Sequence, residues 1–149
     1  MLEQLVRSAR CVFTSPLKRA RESAALLAPG VTALVDPDFR EADLPCAFHS
    51  SLRLRPELWG LVARSAWLCG WSGGVESFPA ARRRAAKAAA LLQARAAQNE
   101  VVALVGHGMM NILIAHHLRA AAWRGPRIPS RKHWQFGIYE RPSASTRAG

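Results

Sequence analysis

The sequence predicts an α/β fold, a three-layer sandwich built around a mostly parallel sheet. The main observation is that short apolar runs lead directly into helical patterns, and this alternation continues along the chain. A second observation is that 50% of the 149 residues are hydrophobic, which is enough apolar material for one core. We therefore expect a single domain over residues 1–142 and a flexible tail at residues 143–149.

The first predicted strand lies at residues 11–14, which are apolar and β-prone. Ser15 directly after it offers an N-cap hydroxyl, and Pro16 suits the first position of a helix. Apolar residues at helical spacing predict that helix over residues 18–28, before a Pro-Gly stop. This is a strand that feeds a helix.

The other elements follow the same alternation. A continuous apolar run at residues 101–105 is typical of a strand covered on both faces, and Gly106-His107-Gly108 follows it at once. The remaining predicted elements are a strand over 31–35, helices over 57–68, 79–98 and 108–119, and a last strand over 133–141.

The charge balance is strongly basic. The formal net charge is +11, and 18 of the 21 basic residues are Arg, so the surface should attract anions. Phosphate-rich nucleic acid is one partner that such a surface could bind, with the arginines at 82–84 as the contact. We rank this hypothesis last because the sequence carries no helix-turn-helix, zinc-finger or aromatic RNA-binding signature.

Cysteine use and hydropathy point to a cytoplasmic protein. Cys11, Cys46 and Cys69 are odd in number and form no CxxC pair, so we expect buried thiols rather than disulfides or a zinc site. The longest stretch without a charged residue, 101–118, contains three histidines and an asparagine, which disfavour a membrane span. We expect no membrane association.

Two strand-to-helix junctions are the expected ligand site, because ligands of open α/β sheets collect beyond the carboxyl ends of the strands. The first junction is Thr14-Ser15-Pro16 and the second is Gly106-His107-Gly108. Each leads into a helix N-terminus, where unpaired amides and the helix dipole favour a phosphate group. Arg19, about one turn into the first helix, could reach over that end.

The segment TSPLKRARESA at residues 14–24, followed later by VVALVGHG at residues 101–108, resembles the histidine phosphatase superfamily, the phosphoglycerate mutase-like phosphohydrolases. Between them, Phe39-Arg40-Glu41 is similar to the family's acid segment, and Glu76 with the arginines at 82–84 is similar to the approach to its penultimate helix. The order of these pieces is more specific than any one of them. The resemblance implies a phosphoglycerate mutase-like fold.

The resemblance also implies a site that needs neither a metal nor an organic cofactor and acts on a phosphorylated small molecule through a phosphohistidine. It assigns Arg19 to phosphate binding, to which we add Gly108, since the glycines beside His107 let a ligand approach the backbone closely. It assigns His107 as the second histidine, which hydrogen-bonds the phosphoryl group, and Glu41 as the acid that protonates the leaving oxygen. Asp43 is a competing candidate for that acid.

One feature of the family is missing from these 149 residues. No Arg is followed by His anywhere, whereas the family carries Arg-His-Gly, with its nucleophilic histidine, on its first and central strand. None of His49, His116, His117 and His133 is placed by sequence to replace that nucleophile. We therefore expect no turnover by this chain as written, and an exposed sheet edge through which it could self-associate.

Two interpretations of the family resemblance stay open at this point. In the first, the sequence belongs to a phosphatase that hydrolyses phosphomonoesters in a form that includes the Arg-His-Gly segment. In the second, it is a non-catalytic protein that binds a phosphate ligand or a partner on the same fold.

Overall fold

A computed structural model describes residues 4, 6, 8–45, 55–98, 101–129 and 135–141. Within them the chain forms an α/β fold with a three-stranded, fully parallel sheet. The strands are β1 (Cys11–Thr14), β2 (Leu34–Val35) and β3 (Val102–Val105), in the order β2-β1-β3. The predicted parallel sheet is confirmed, and β2 is shorter than the five residues expected from the sequence.

The predicted helices are confirmed to within one residue at each end. Among the described residues, we find no helix with the length and hydropathy of a membrane span. The helices are α1 (Lys18–Leu27), α2 (Pro56–Leu68), α3 (Phe78–Gln98) and α4 (Gly108–Ala120), and a short 3-10 helix covers Pro37–Phe39.

Strand β1 is the centre of the described sheet. All four of its residues are buried, whereas those of β3 are half-buried and those of β2 are exposed. Helix α1 packs against β1 and β3, and the core beneath it is made mainly of small side chains. The buried members of this core are Val6, Ala9, Val12, Ala24 and Ala28. Small residues let the helix approach the sheet closely, which fixes where α1 begins relative to the strand ends.

The described chain divides into two compact units. The first comprises Met1–Glu41 with Ala85–Gly149, and the second comprises Ala42–Arg84. In the second unit, the fully buried Trp67 donates its indole N–H to the carbonyl oxygen of Glu76 at 2.7 Å. The Glu76 carboxylate in turn accepts from Arg84, with Nε 2.9 Å from Oε1. The sheet and all the site residues discussed below belong to the first unit.

The predicted last strand at 133–141 is wrong for the residues that are described there. Residues 135–141 form no strand and make one isolated antiparallel bridge, between Glu140 and Arg124. Tyr139 donates its hydroxyl to the carbonyl oxygen of Pro126 at 2.9 Å, and its ring lies against Gly125. The segment therefore folds back on the chain that leaves α4 instead of joining the sheet. The predicted tail at 143–149 lies outside the described residues.

Two local predictions also need correction. Ser15 is not the N-cap of α1: the helix begins at Lys18, its N-cap is Leu17, and no side chain caps it. Residue 17 is extended rather than helical, so the hydroxyl of Ser15 lies too early to cap and is used elsewhere. Among the cysteines, Cys11 is buried as expected, but Cys69 at the end of α2 is exposed. Cys46 lies outside the described residues.

Candidate functional site

The site forms where β1 and β3 end side by side. Thr14 pairs with Val105 across the parallel ladder, and the Thr14 hydroxyl donates to the carbonyl oxygen of Val105 at 3.2 Å. Because both strands leave the sheet at this edge, the next residues of each chain are neighbours. Ser15 and His107, 92 positions apart in sequence, are brought into contact in this way.

The ring of His107 is held at both nitrogens. Its Nε2 lies 2.7 Å from the hydroxyl oxygen of Ser15, in a hydrogen bond that is buried from solvent. Its Nδ1 lies 3.4 Å from Nη2 of Arg19, in the first turn of α1. His107 itself is only 7% exposed. The predicted meeting of the Arg19 guanidinium with the His107 imidazole is therefore present in the fold.

Glu41 lies at the same helix end. Its Oε1 accepts from the backbone N–H of Met110 at 3.0 Å, which is the third residue of α4. A carboxylate is favourable here because the first turn of a helix has unpaired amides and a positive dipole end. The sequence predicted Glu41 as an acid near the phosphate; the fold gives it, in addition, the role of capping α4.

The surroundings of His107 favour its neutral form. Burial lowers the pKa of the imidazole below its ordinary value of 6.5; the carboxylate of Glu41 raises that pKa and the guanidinium of Arg19 lowers it. Burial is the largest of the three effects. The neutral ring carries one proton, so one nitrogen donates a hydrogen bond and the other accepts one.

The start of α4 leaves backbone donors at the site. The first hydrogen bond within the helix runs from Asn111 N–H to the carbonyl oxygen of His107 at 2.8 Å, so the helix itself offers no acceptor to the amides of Gly108 and Met109. Gly106 permits close packing here, since a Cβ on it would lie 2.6 Å from Oδ1 of Asn111. That Oδ1 is buried and has no hydrogen-bond partner among the described residues.

The fold thus gathers the four site residues predicted from the sequence, Arg19, Glu41, His107 and Gly108, around the N-terminus of α4. The competing acid, Asp43, belongs to the second unit. His116 and His117 lie together near the other end of α4, with ring centroids 5.4 Å apart. His49 and His133 are outside the described residues. No described group of three or more His, Cys, Asp or Glu side chains could hold a metal ion.

Sequence reasoning missed two side chains of this site. Ser15 was expected to cap a helix and instead contacts His107, and only the pairing of the two strands could have revealed this contact. Asn111 gave no signal in the sequence beyond its position in the first turn of the predicted helix.

The fold and site together define an α/β protein of the phosphoglycerate mutase-like class. A family model of the histidine phosphatase superfamily (branch 1) matches residues 2–137, so the chain belongs to that superfamily. Among solved structures, the chain is similar to the product of the open reading frame Rv3214 from Mycobacterium tuberculosis, with a TM-score of 0.55 and 18% identity. The match covers 88% of this chain and 70% of the other, and at this identity it shows the fold alone. No curated protein matches the chain significantly.

Proposed function

We propose that the site at the start of α4 binds the phosphoryl group of a phosphorylated small molecule. The observation that carries this proposal is the convergence of Arg19 and His107, whose side-chain nitrogens lie 3.4 Å apart beside a helix N-terminus. A guanidinium, an imidazole and first-turn amides are all donors to oxyanions. Superfamily membership supports the same ligand class.

Arg19 is the principal phosphate ligand of this proposal. Arg19 is exposed, so its side chain can turn from the imidazole toward an incoming anion. A planar guanidinium donates two parallel N–H bonds to phosphate oxygens, which a lysine could not do. The Gly108 amide adds a backbone donor from the end of α4.

Glu41 is the proposed acid for the leaving oxygen of a substrate. Its carboxylate is close enough to act electrostatically on His107, and it caps the helix at which the phosphate would bind. A phosphate dianion beside it would favour the protonated form of the carboxyl group, which is the form needed for a general acid.

Hydrolysis in this superfamily needs a covalent acceptor for the phosphoryl group. The 149 residues contain no Arg-His pair, and by its resemblance His107 corresponds to the superfamily's second histidine rather than to the nucleophile. We therefore propose that this chain binds phosphomonoesters without turning them over, and that a form carrying Arg-His-Gly on an additional strand hydrolyses them.

Binding is tested by calorimetric titration of the chain with inorganic phosphate and with an aryl phosphate at low salt. Replacing Arg19 removes a charge-assisted hydrogen bond of about 1.5–3 kcal/mol, so we expect Arg19→Ala to weaken binding about 10- to 100-fold. Arg21→Ala is the matched control, because this exposed arginine on the same helix carries the same charge. Equal losses in the two variants would mean that general positive charge, rather than this site, attracts the anion.

Turnover is tested separately, with the aryl phosphate as substrate. We expect none from the 149-residue chain and measurable release of phosphate from a form extended by the Arg-His-Gly segment. Turnover by the short chain that disappears in His107→Ala would make His107 the nucleophile and overturn this part of the proposal.

A further inference from the structure

Ser15 is the one fully buried hydroxyl that touches the His107 ring among the described residues. Besides its 2.7 Å contact with Nε2, its oxygen accepts the backbone N–H of Leu17 at 3.2 Å. This second contact fixes the hydroxyl oxygen relative to the backbone ahead of α1. The oxygen is therefore a rigid partner for the ring.

The partner on the other side of the ring favours the same arrangement of the proton. A guanidinium is always protonated and can only donate, so Nδ1, facing Nη2 of Arg19, is the acceptor. The neutral ring then carries its proton on Nε2 and donates it to Ser15. This tautomer follows from the hydrogen-bond partners and is open to direct observation.

We propose that Ser15 is a positioning residue for His107: it keeps one proton on Nε2, so that Nδ1 is the nitrogen that gains a proton when a tetrahedral oxyanion binds. The inference rests on the proposed function and extends it to the proton balance of the site. In the step, Arg19 turns its N–H from Nδ1 to an anion oxygen. One proton from solvent then adds to Nδ1, and the new N–H donates to another anion oxygen.

The charges around the ring couple anion binding to the protonation of His107. The described charged groups that act on His107 are Arg19 from α1 and Glu41 from the segment after the 3-10 helix. In the empty site, burial and Arg19 disfavour a second proton on the ring and Glu41 favours it, and the net effect is a lowered pKa. An anion that draws Arg19 away and adds negative charge raises that pKa, so binding and protonation strengthen each other.

The same hydrogen bonds exclude a different chemistry at this pair. A serine nucleophile needs a histidine nitrogen that accepts its proton. Here Ser15 is the acceptor, because Nε2 holds the proton while Arg19 occupies Nδ1. The pair is therefore arranged to orient the imidazole and not to activate the hydroxyl.

The test uses the full chain with ¹⁵N-labelled histidine and inorganic sulfate, which stays a dianion throughout and so adds no titration of its own. Nuclear magnetic resonance of the ring nitrogens reports the tautomer. We expect Nε2–H with a bare Nδ1 in the anion-free chain above the pKa of His107, and protons on both nitrogens in the sulfate complex. A bare Nε2 in the anion-free chain would overturn the inference.

Calorimetry in two buffers of different ionisation enthalpy measures the proton uptake. Between the pKa of the empty site and the higher pKa of the occupied site, we expect uptake approaching one proton and a dissociation constant that rises about tenfold per pH unit. Sulfate binding that depends on Arg19 but takes up no proton overturns this inference and leaves the proposed function standing. Failure of sulfate and phosphate to bind overturns the proposed function. The tautomer of the anion-free chain then still shows whether the Nε2 proton is donated to Ser15.

Variants at position 15 separate positioning from stability. In Ser15→Ala the buried Nε2 proton loses its acceptor, and the cost of this unpaired donor opposes the preference that Arg19 sets. We therefore expect a mixture of tautomers and sulfate affinity reduced about fivefold, which corresponds to one neutral hydrogen bond. Ser15→Thr keeps the oxygen and should restore the single tautomer. Ser23→Ala, on α1, is the control for a lost hydroxyl. An unchanged tautomer in Ser15→Ala contradicts the proposal, and the wild-type measurements decide it if that variant does not fold.

Discussion

The two ends of helix α4 differ in where their hydrogen-bond partners come from. At the N-terminus, Ser15, Arg19 and Glu41 reach the helix start from positions 92, 88 and 69 residues away from their hydrogen-bond partners. At the C-terminus the helix is ended by its own backbone, and the chain that follows packs locally. The N-terminal end therefore depends on contacts between distant parts of the chain, whereas the C-terminal end depends on local backbone contacts that stabilise the helix.

The C-terminal end is a Schellman motif. Ala122 N–H donates to the carbonyl oxygen of Arg119 at 2.9 Å, and Trp123 N–H donates to that of Leu118 at 3.0 Å. Ala122 has φ +65°, the left-handed conformation that glycine usually supplies at this position. None of the four predicted site residues lies at this end, so we expect changes here to alter stability and leave anion binding intact.

The largest stability effect at this end is expected from Gly125→Ala. A Cβ at position 125 would lie 2.3 Å from Cδ1 of Tyr139 and 2.6 Å from the backbone oxygen of Ile138, so the following segment must shift. We expect a loss of about 1–3 kcal/mol in chemical denaturation, with phosphate affinity unchanged. Gly60→Ala is the control, because its Cβ meets nothing within 4 Å in α2 and should stabilise.

A smaller change of opposite sign is expected from Ala122→Gly. Glycine removes the steric cost of the left-handed conformation, and this gain exceeds the added entropy of the unfolded chain. We expect stabilisation by about 0.5–1 kcal/mol, measured as the free energy of unfolding in urea. Ala121→Gly, where φ is −88°, gains no such relief and should destabilise. Equal effects in both variants would contradict the assignment of the motif.

The smallest stability effect is expected at the charged end, from Glu41→Gln. The amide oxygen can still accept from Met110 N–H, while the interaction of the charge with the helix dipole is lost, about 0.3–1 kcal/mol. The pKa of His107 should fall further, because Glu41 raises it. Glu57→Gln, in the first turn of α2, should cost a similar amount and leave that pKa unchanged.

The sign of the pH dependence follows from the same residue. The pKa of His107 is lower in the folded chain than its value of about 6.5 when unfolded, so the unfolded chain gains this proton first. The contribution to stability is therefore lost as pH falls from about 6.5 toward the folded pKa. In Glu41→Gln the folded pKa of His107 is lower still, so the pH range over which stability is lost extends further down. Urea denaturation at several pH values measures the free energy of unfolding across this range.

The two ends also differ in how far the sequence predicts them. Helix α4 and strand β3 were predicted within one residue because their apolar periods are local. The two strand-to-helix junctions were predicted as a ligand site from the general behaviour of α/β sheets, whereas the separate roles of Arg19, Glu41 and His107 were predicted through the family resemblance. The contact of Ser15 with His107 depends on the register of Thr14 against Val105, which the sequence does not encode locally.

The prediction of a strand at 133–141 was wrong for a different reason. Its alternating pattern was local and clear, but alternation states only that one face is covered and not which element covers it. Tyr139 contacts Gly125 and Pro126, 13 to 14 residues earlier, while Phe136 and Ile138 stay exposed. At this segment the alternation predicted neither strand pairing nor the burial of Phe136 and Ile138.

The most direct measurement of the central claim is a residue-resolved titration of the ¹⁵N-labelled chain with inorganic phosphate. We expect the amide resonances of Ser15, Arg19, His107 and Gly108 to shift together, while those of Ala122 and Trp123 at the other end of α4 stay in place. Shifts centred on the basic face of α3 around Arg83 and Lys87, with none at Gly108, would contradict it.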